Sequence, residues 1–539
     1  MRVALCLTIS CIFSTYALAD CQPVADNHFL LDQSNIRIKD ITYNSNNVFD
    51  LTNKNTFWLH EFANYTHTIT RDSVLQDDVL FEIGAPLDEK VLAETERLLR
   101  TRSYLREANV RISHYCASEN AVIIDVETWD NWSLLPTVDF SSEGGRSKSA
   151  LGFEEDNLLG TGNKLSLEYK TETERTGYGF AFNSPNMFGS FWDGSLRYFD
   201  NSDGSNYQVQ VSRPFYRLSS PWSLLFNLQR DSEEVSEYEA GEEVNRFQRQ
   251  NNLLNVEFGY KLPIAGKNIH RLKLSAELND YNFDLAEHGT FHPLPEDRNL
   301  SGFWVEYEYI VADYRKLYNI NSFNRTEDFN LGWQLNARIG QYNKGFGADD
   351  NALFWKFSAL KNWQLASDIW LLSDTSWQQR QFEQQQFLIS SHWQLVKHLT
   401  DYSSFVAKLN IDKGNNLFRD EPLYIGGENN MRAYPEFFRS GEARIINTLE
   451  YRRYTDWSIW QLLDVAFVGY LDVGKVWPAG DQPMAETDSS TLVGVGGGLR
   501  LLSSHSSRGA MIHIDVTKAV TDNDNLNGVE FRLMASRSF

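Results

Sequence analysis

The residue most out of place in this sequence is an arginine. Arg432 lies in GGENNMRAYPEFF (426–438), where paired glycines, an amide pair and a proline rule out both helix and strand. On either side the chain alternates apolar and polar residues. A guanidinium offers one kind of chemistry, a planar fork of N–H donors that matches a carboxylate bidentately. Nothing else in the chain offers catalysis. The 11 histidines are scattered, His60-Glu61 lacks the second histidine of a zinc site, and no G-x-S-x-G occurs. GVGGGLR (494–500) leads into no helix, so it reads as a strand that bends or packs closely against something, not as a phosphate loop. No metal, no cofactor and no enzymatic activity is expected.

The elements that must position the arginine are strands. Leu254, Val256, Phe258, Tyr260 and Leu262 alternate with more polar neighbours. So do Phe303, Val305, Tyr307, Tyr309 and Val311, and so do Phe329, Leu331, Trp333, Leu335, Ala337 and Ile339. Turn-formers such as DNSDGSN, LPIAGKN and YNKGFGADDN separate such runs. No segment holds the roughly 18 apolar residues of a membrane helix. Yet aromatics reach 14% at a mean hydropathy of -0.43, the profile of a barrel that crosses the membrane with strands. A large secreted all-β protein fits the composition as well. The formal charge of -22 argues against nucleic acid as a partner, because phosphate binding needs a basic patch.

The chain opens like an exported one. Arg2, an apolar run from Val3 to Phe13 and Ala17-Leu18-Ala19 read as a signal peptide over 1–19. Cys6 and Cys11 leave with it. Cys21 and Cys116 remain, either bridged in an oxidising compartment or as two free thiols. After an N-terminal segment (20–34), residues 35–128 read as a compact α+β unit. It has a strand through Ile36, Ile38 and Ile41, a polar and aromatic insertion, and a short amphipathic helix in TRDSVLQDDVLFEIG. A longer helix follows with Asp88 as N-cap and Val91, Leu92, Thr95, Leu98, Leu99 and Arg102 on one face, and then two strands. From 133 to 539 the strand pattern takes over. Roughly 400 residues at about 25 per strand and turn accommodate about 16 strands, an even number as closed barrels require.

The β-α-α-β-β unit carrying GAPLDEKVLAETERLLRTRSYLREANVRI resembles a POTRA domain, the periplasmic module of outer-membrane assembly and secretion proteins. Three later motifs resemble the BamA/TamA superfamily, in that family's order. NLLGTGNK, with Asn157, Gly160 and Gly162, is similar to its barrel-entry turn. Met431, Arg432, Ala433 and Tyr434 are similar to the tip of its sixth extracellular loop, which folds back into the barrel. FVGYLDVGKVW is similar to its later F-x-D-x-G strand. The resemblance implies that Asp472 faces the lumen near Arg432, and Glu450, in LEYRRY, is a second acidic candidate. Irregular backbone at membrane depth must be enclosed by protein or by a water-filled cavity, so such an ion pair would pin the loop. Taken alone, the loop also fits an ordinary solvated arginine. The family's glycine after the arginine is Ala433 here. The last segment, GVEFRLMASRSF, places Phe531, Leu533 and Phe539 on one face and resembles the terminal insertion signal of such barrels, with Arg537 interrupting it.

The expectation is therefore a mostly β protein: a transmembrane antiparallel barrel of about 16 strands behind one POTRA-like domain. It would sit in the bacterial outer membrane with that domain in the periplasm. The resemblance implies polypeptide clients, the lipid bilayer as surroundings and room for a periplasmic accessory protein. Assembly or insertion of other barrel proteins, export of one dedicated partner, and a pore that moves no protein remain open at this point.

Overall fold

The computed structural model describes residues 21–24, 35–52, 56–143, 146–171, 175–239, 242–286, 294–427, 431–477, 490–505, 511–521 and 528–536. The leader expected over 1–19 and the terminal Phe539 lie outside them.

The N-terminal unit is a four-stranded sheet with two helices packed against it. Its elements are β1 (Cys21–Pro23), β2 (Arg37–Asn46), α1 (Trp58–Thr66), α2 (Asp72–Asp78), α3 (Glu89–Arg100), β3 (Leu105–Cys116) and β4 (Ala121–Asp130). The hydrogen-bonded order is β1-β3-β4-β2, with β2 parallel to β4 and the other pairs antiparallel. Asp88 caps α3 by accepting from the Lys90 N–H at 2.9 Å. Leu92 and Leu99 turn inward from α3 onto Ile38, Ile112, Ile124 and Val126 of the sheet. The insertion between β2 and α2 contains a third helix, α1, which the polar and aromatic run did not announce. Cys21 lies opposite Cys116 in the β1–β3 register, and the two are disulfide-bonded across a separation of 95 residues. Closing a loop of that length contributes about 4 to 5 kcal/mol in the chain-entropy model.

The rest of the chain is one large antiparallel sheet whose pairing order returns on itself. Among the described residues it has twenty strands of eight residues or more, from Leu134–Glu143 to Val529–Ser536, counted here in chain order. The expected number, about sixteen, was too low because many connections are very short. Strands five and six (Trp192–Asn201 and Gly204–Arg213) are joined by Ser202 and Asp203 alone, and strands fourteen and fifteen (Gln385–Thr400 and Ser403–Asn415) by Asp401 and Tyr402. Among the described residues the last strand pairs with the first at one position, Leu533 with Ser142.

One expected strand is broken. The run from Phe329 to Ile339 divides at Gly332: strand eleven is Gln334–Tyr342, whereas Phe329 belongs to a separate hairpin of Tyr314–Tyr318 with Thr326–Asn330. A side chain at Gly332 would collide with the Val311 carbonyl, at 1.7 Å from the place of its Cβ. The hairpin leaves the sheet between strand ten (Gly302–Ile310) and strand eleven, on the side of the N-terminal unit.

Candidate functional site

Alternation on two neighbouring strands builds the site. Strand sixteen (Ala443–Ile459) turns Ile446, Thr448, Glu450, Arg452 and Tyr454 into the barrel and exposes Tyr451 on the other face. Strand seventeen (Leu463–Trp477) turns in Tyr470, Asp472 and Gly474 and exposes Phe467. Antiparallel register sets Thr448 opposite Asp472 and Glu450 opposite Tyr470. Carboxylates so enclosed need partners, because an unpaired buried charge costs several kcal/mol.

The connection between strands fifteen and sixteen supplies one. Its ends pair as a short ladder, Leu423–Ile425 with Arg439–Gly441, and its middle folds into the barrel. Arg432 grips Asp472 with Nε at 2.9 Å and Nη2 at 2.8 Å, and donates through Nη1 to Glu450 at 2.9 Å. The guanidinium carbon lies over the Tyr470 ring, 3.4 Å from its centroid. Thr448 donates to the same Asp472 at 2.8 Å, and Arg532 of the last strand donates to the Arg432 carbonyl. Met431, Ala433 and Tyr434 are buried beside Ile446, Val476 and Leu492. The Tyr434 hydroxyl donates to the Val493 carbonyl at 2.9 Å.

The glycine run on strand eighteen (Leu492–Ser503) makes room for this loop. A Cβ on Gly494 would lie 2.7 Å from that of Ala433. Left-handed backbone in the loop falls at Gly426, Gly427 and Phe437. Ala433 itself needs no positive φ, so alanine carries no conformational penalty there.

Sequence reasoning missed the other half of the network. Arg452, fully buried, donates to Glu450 through Nε at 2.9 Å and Nη2 at 2.7 Å, and through Nη1 to the Ile320 carbonyl at 2.8 Å. Ile320 is at the tip of the hairpin between strands ten and eleven, so this hairpin also enters the barrel. Leu317 and Ile320 pack against Trp370, Val396 and Val406. Phe323 packs against Tyr454, Ala466, Leu502 and Met511, on strands sixteen to nineteen. Two segments from opposite ends thus meet around Glu450. The first arginine of LEYRRY, Arg452, was the available signal: a charge at an inward position, two residues after an inward glutamate.

The paired strands of the hairpin are tied to the N-terminal unit. Arg100 of α3 makes a bidentate pair with Asp328 at 2.8 and 2.7 Å, and Thr326 donates to Glu107 at 2.8 Å. Lys316 pairs with Glu96. Burial pushes the Glu96 carboxyl up, but its bonds to Lys316, Arg100 and the Val110 N–H outweigh this and hold it below the usual carboxylate range.

The remaining candidates lie apart from this network. Asn157, Gly160 and Gly162 form the turn after the second strand and dock into the N-terminal unit. Asn157 donates to Thr70 at 2.9 Å and accepts from the Gly162 N–H at 2.8 Å. Gly162 has φ +71°, and a Cβ there would meet the Tyr104 ring at 2.8 Å. Phe531 and Leu533 are on the outward face of the last strand, which alternates with the buried Arg532 and Met534. Among the described residues no group of three or more histidine, cysteine or acidic side chains could hold a metal.

No protein-family model matches the sequence, and no curated protein does. Solved structures that align with most of the chain include BamA from Haemophilus ducreyi lacking POTRA domains 1–3, at 13% identity and TM-score 0.38 over 93% of this chain and 84% of that one. They also include CdiB from Escherichia coli, at 14% and 0.49 over 93% and 77%. CdiB from Acinetobacter baumannii aligns at 12% and 0.45 over 96% and 78%.

Proposed function

We propose that the protein is an outer-membrane barrel of the BamA/TamA kind that handles other polypeptides, pairing a client strand with its own backbone at the seam. The seam is the observation that supports this most directly. Strands nineteen and twenty pair continuously from Met511 with Ser536 to Lys518 with Val529, whereas among the described residues strand twenty pairs with strand one through Leu533 and Ser142 alone. A join so short leaves backbone donors and acceptors that an incoming strand can take up. Membrane placement is supported by the outward faces, where Phe258, Phe357, Trp377, Phe405 and Phe467 are exposed while charged side chains on the same sheet turn in. Strands closed on themselves satisfy their backbone in lipid as a helix does. The N-terminal unit would then lie in the periplasm, and no nucleotide or cofactor is called for.

A second reading, export of a dedicated partner through the lumen, is favoured by the inner hairpin. A conduit for unfolded chains must be shut at rest, and the loop holding Arg432 and the hairpin holding Ile320 enter the lumen from both ends. The same two insertions argue against a permanently open pore.

The test is a Ser142→Cys, Leu533→Cys pair that locks the seam when oxidised, expressed in cells lacking the native gene, with proteomics of the outer-membrane and secreted fractions. Loss of a set of barrel proteins on locking, restored by reduction, is the expected result. Loss of one secreted protein irrespective of the lock would support export through the lumen instead. Unchanged fractions on deletion of the whole protein would sink both readings.

A further inference from the structure

Helix α1 leaves an aromatic face exposed among the described residues. Trp58, Phe62 and Tyr65 follow one another at four and three residues, which puts them on one side of a helix, and they are 70%, 48% and 88% exposed. Ile69, just beyond the helix, is exposed as well. The opposite side is conventional: His60 and Ala63 are buried, and Ala63 packs with Val48 and Phe49 near Trp132 and Leu462. A short helix of a water-exposed domain gains nothing by displaying three aromatics, and contiguous apolar patches of this kind mark interaction sites.

Its position says what covers it. The His60 ring is hydrogen-bonded at 2.8 Å to the carbonyl of Trp460, in the turn between strands sixteen and seventeen. Around that turn the barrel exposes Trp457 at 66% and Trp460 at 65%, with Trp457 edge-on to the outward Phe467. The helix therefore sits beside the barrel rim nearest the N-terminal unit, where the barrel surface itself is aromatic. Tryptophan and tyrosine at a barrel rim belong at the level of lipid headgroups, because their rings are apolar with a polar edge. The helix sequence WLHEFANYT carries Glu61 and no lysine or arginine, so attraction to anionic lipid is not the driving force. Burial of the rings is.

We propose that the exposed face of α1 is a membrane-interface anchor, which dips into the zwitterionic headgroup layer of the leaflet facing the N-terminal unit and holds that unit against the bilayer beside strands sixteen and seventeen. This rests on the outer-membrane reading above. It adds a lipid contact made by the N-terminal unit itself.

The experiment uses the full chain in phosphatidylcholine nanodiscs, with and without a nitroxide lipid labelled at headgroup depth. A fluorophore is attached under non-reducing conditions, which spare the Cys21–Cys116 bond, to one introduced thiol at a time: Tyr65→Cys on α1, Lys90→Cys on the exposed start of α3, or Phe405→Cys on the outward barrel face. The nitroxide is expected to quench the label at 65 several-fold more than the label at 90, with little effect of salt. Equal, weak quenching at 65 and 90 beside strong quenching at 405 overturns the anchor and leaves the barrel in its membrane. Weak quenching at 405 too overturns the membrane reading and the anchor with it. A label at 65 that is shielded in detergent and in nanodiscs alike, without quenching, means that a second copy or another protein covers the face, and overturns the lipid assignment.

Discussion

Two segments enter the barrel from opposite ends, and they are held by different physics. The outer loop is held by charge: Arg432 is bidentate to Asp472, shares Glu450 and lies over Tyr470. The inner hairpin is held by apolar contact at its tip, through Ile320 and Phe323, and by ion pairs to α3 along its paired strands. A buried bidentate pair specifies one arrangement and fails abruptly when one partner goes. Apolar packing yields in proportion to the volume removed. The outer loop thus behaves as a latch, with one closed position. The inner hairpin behaves as a stopper whose seating depends on the N-terminal unit. Arg452 is where they touch, bonded to Glu450 on one side and to the Ile320 carbonyl on the other.

The largest effect should come from the latch. Arg432→Ala leaves Asp472 and Glu450 buried without their shared cation, at a cost of about 3 to 5 kcal/mol. Protease sites in the outer loop should become accessible in intact cells while the inner hairpin stays protected. Arg432→Lys should recover only part of the loss, since an ammonium cannot make the forked contact. If the loop stays protected in the alanine variant, its apolar neighbours Met431 and Tyr434 hold it and the comparison fails. A smaller, opposite pattern is expected from Phe323→Ala. Removing that ring from among Tyr454, Leu502 and Met511 costs about 3 kcal/mol and unseats the hairpin tip. Brief conductance openings in planar bilayers should become more frequent, with the outer loop still protected. Openings that need loss of the loop as well would mean that the two segments move as one.

Much of the latch was legible in the sequence because a conspicuous residue carried it. An arginine between a glycine pair and a proline contradicts the strands around it. Asp472 and Glu450 are on strands whose period of two fixes which side chains turn inward. The stopper was not legible, for a physical reason. Phe329, Leu331 and Trp333 keep the same alternation as strand eleven, and only Gly332, pressed against the Val311 carbonyl, marks the break. A hairpin buried inside a barrel is amphipathic with the same period as the wall it touches. Alternation therefore identifies the strand and not the surface it faces. The strand number erred similarly, since two-residue turns such as Ser202-Asp203 leave little trace between runs. Helix α1 was passed over because its exposed side is as aromatic as a core.

The smallest expected effect separates the two segments by pH. His505 lies in the turn after strand eighteen, its ring stacked on Phe49 at 4.3 Å. Burial pushes its pKa down to about 3, helped by the nearby charge of Arg106, His60 and the hairpin's Arg325. The folded protein keeps this imidazole neutral, while the unfolded chain takes up a proton near pH 6.5. Stability contributed by the neutral ring is thus fully present above pH 6.5. It declines as the pH falls from there toward 3, at up to about 1.4 kcal/mol per unit. Going from pH 7.5 to 5.5 should cost roughly 1 kcal/mol at the junction of the N-terminal unit, the hairpin and the barrel. Limited proteolysis of the purified protein should then cut the hairpin faster at pH 5.5, with the outer loop unchanged, since that loop is held by carboxylates and arginine. His505→Phe keeps a ring against Phe49 and removes the titration, so its hairpin cleavage should not depend on pH over this range. Equal acceleration at both segments in the native protein would place the acid-sensitive group on their shared contact at Arg452 and Glu450, and would make latch and stopper a single device.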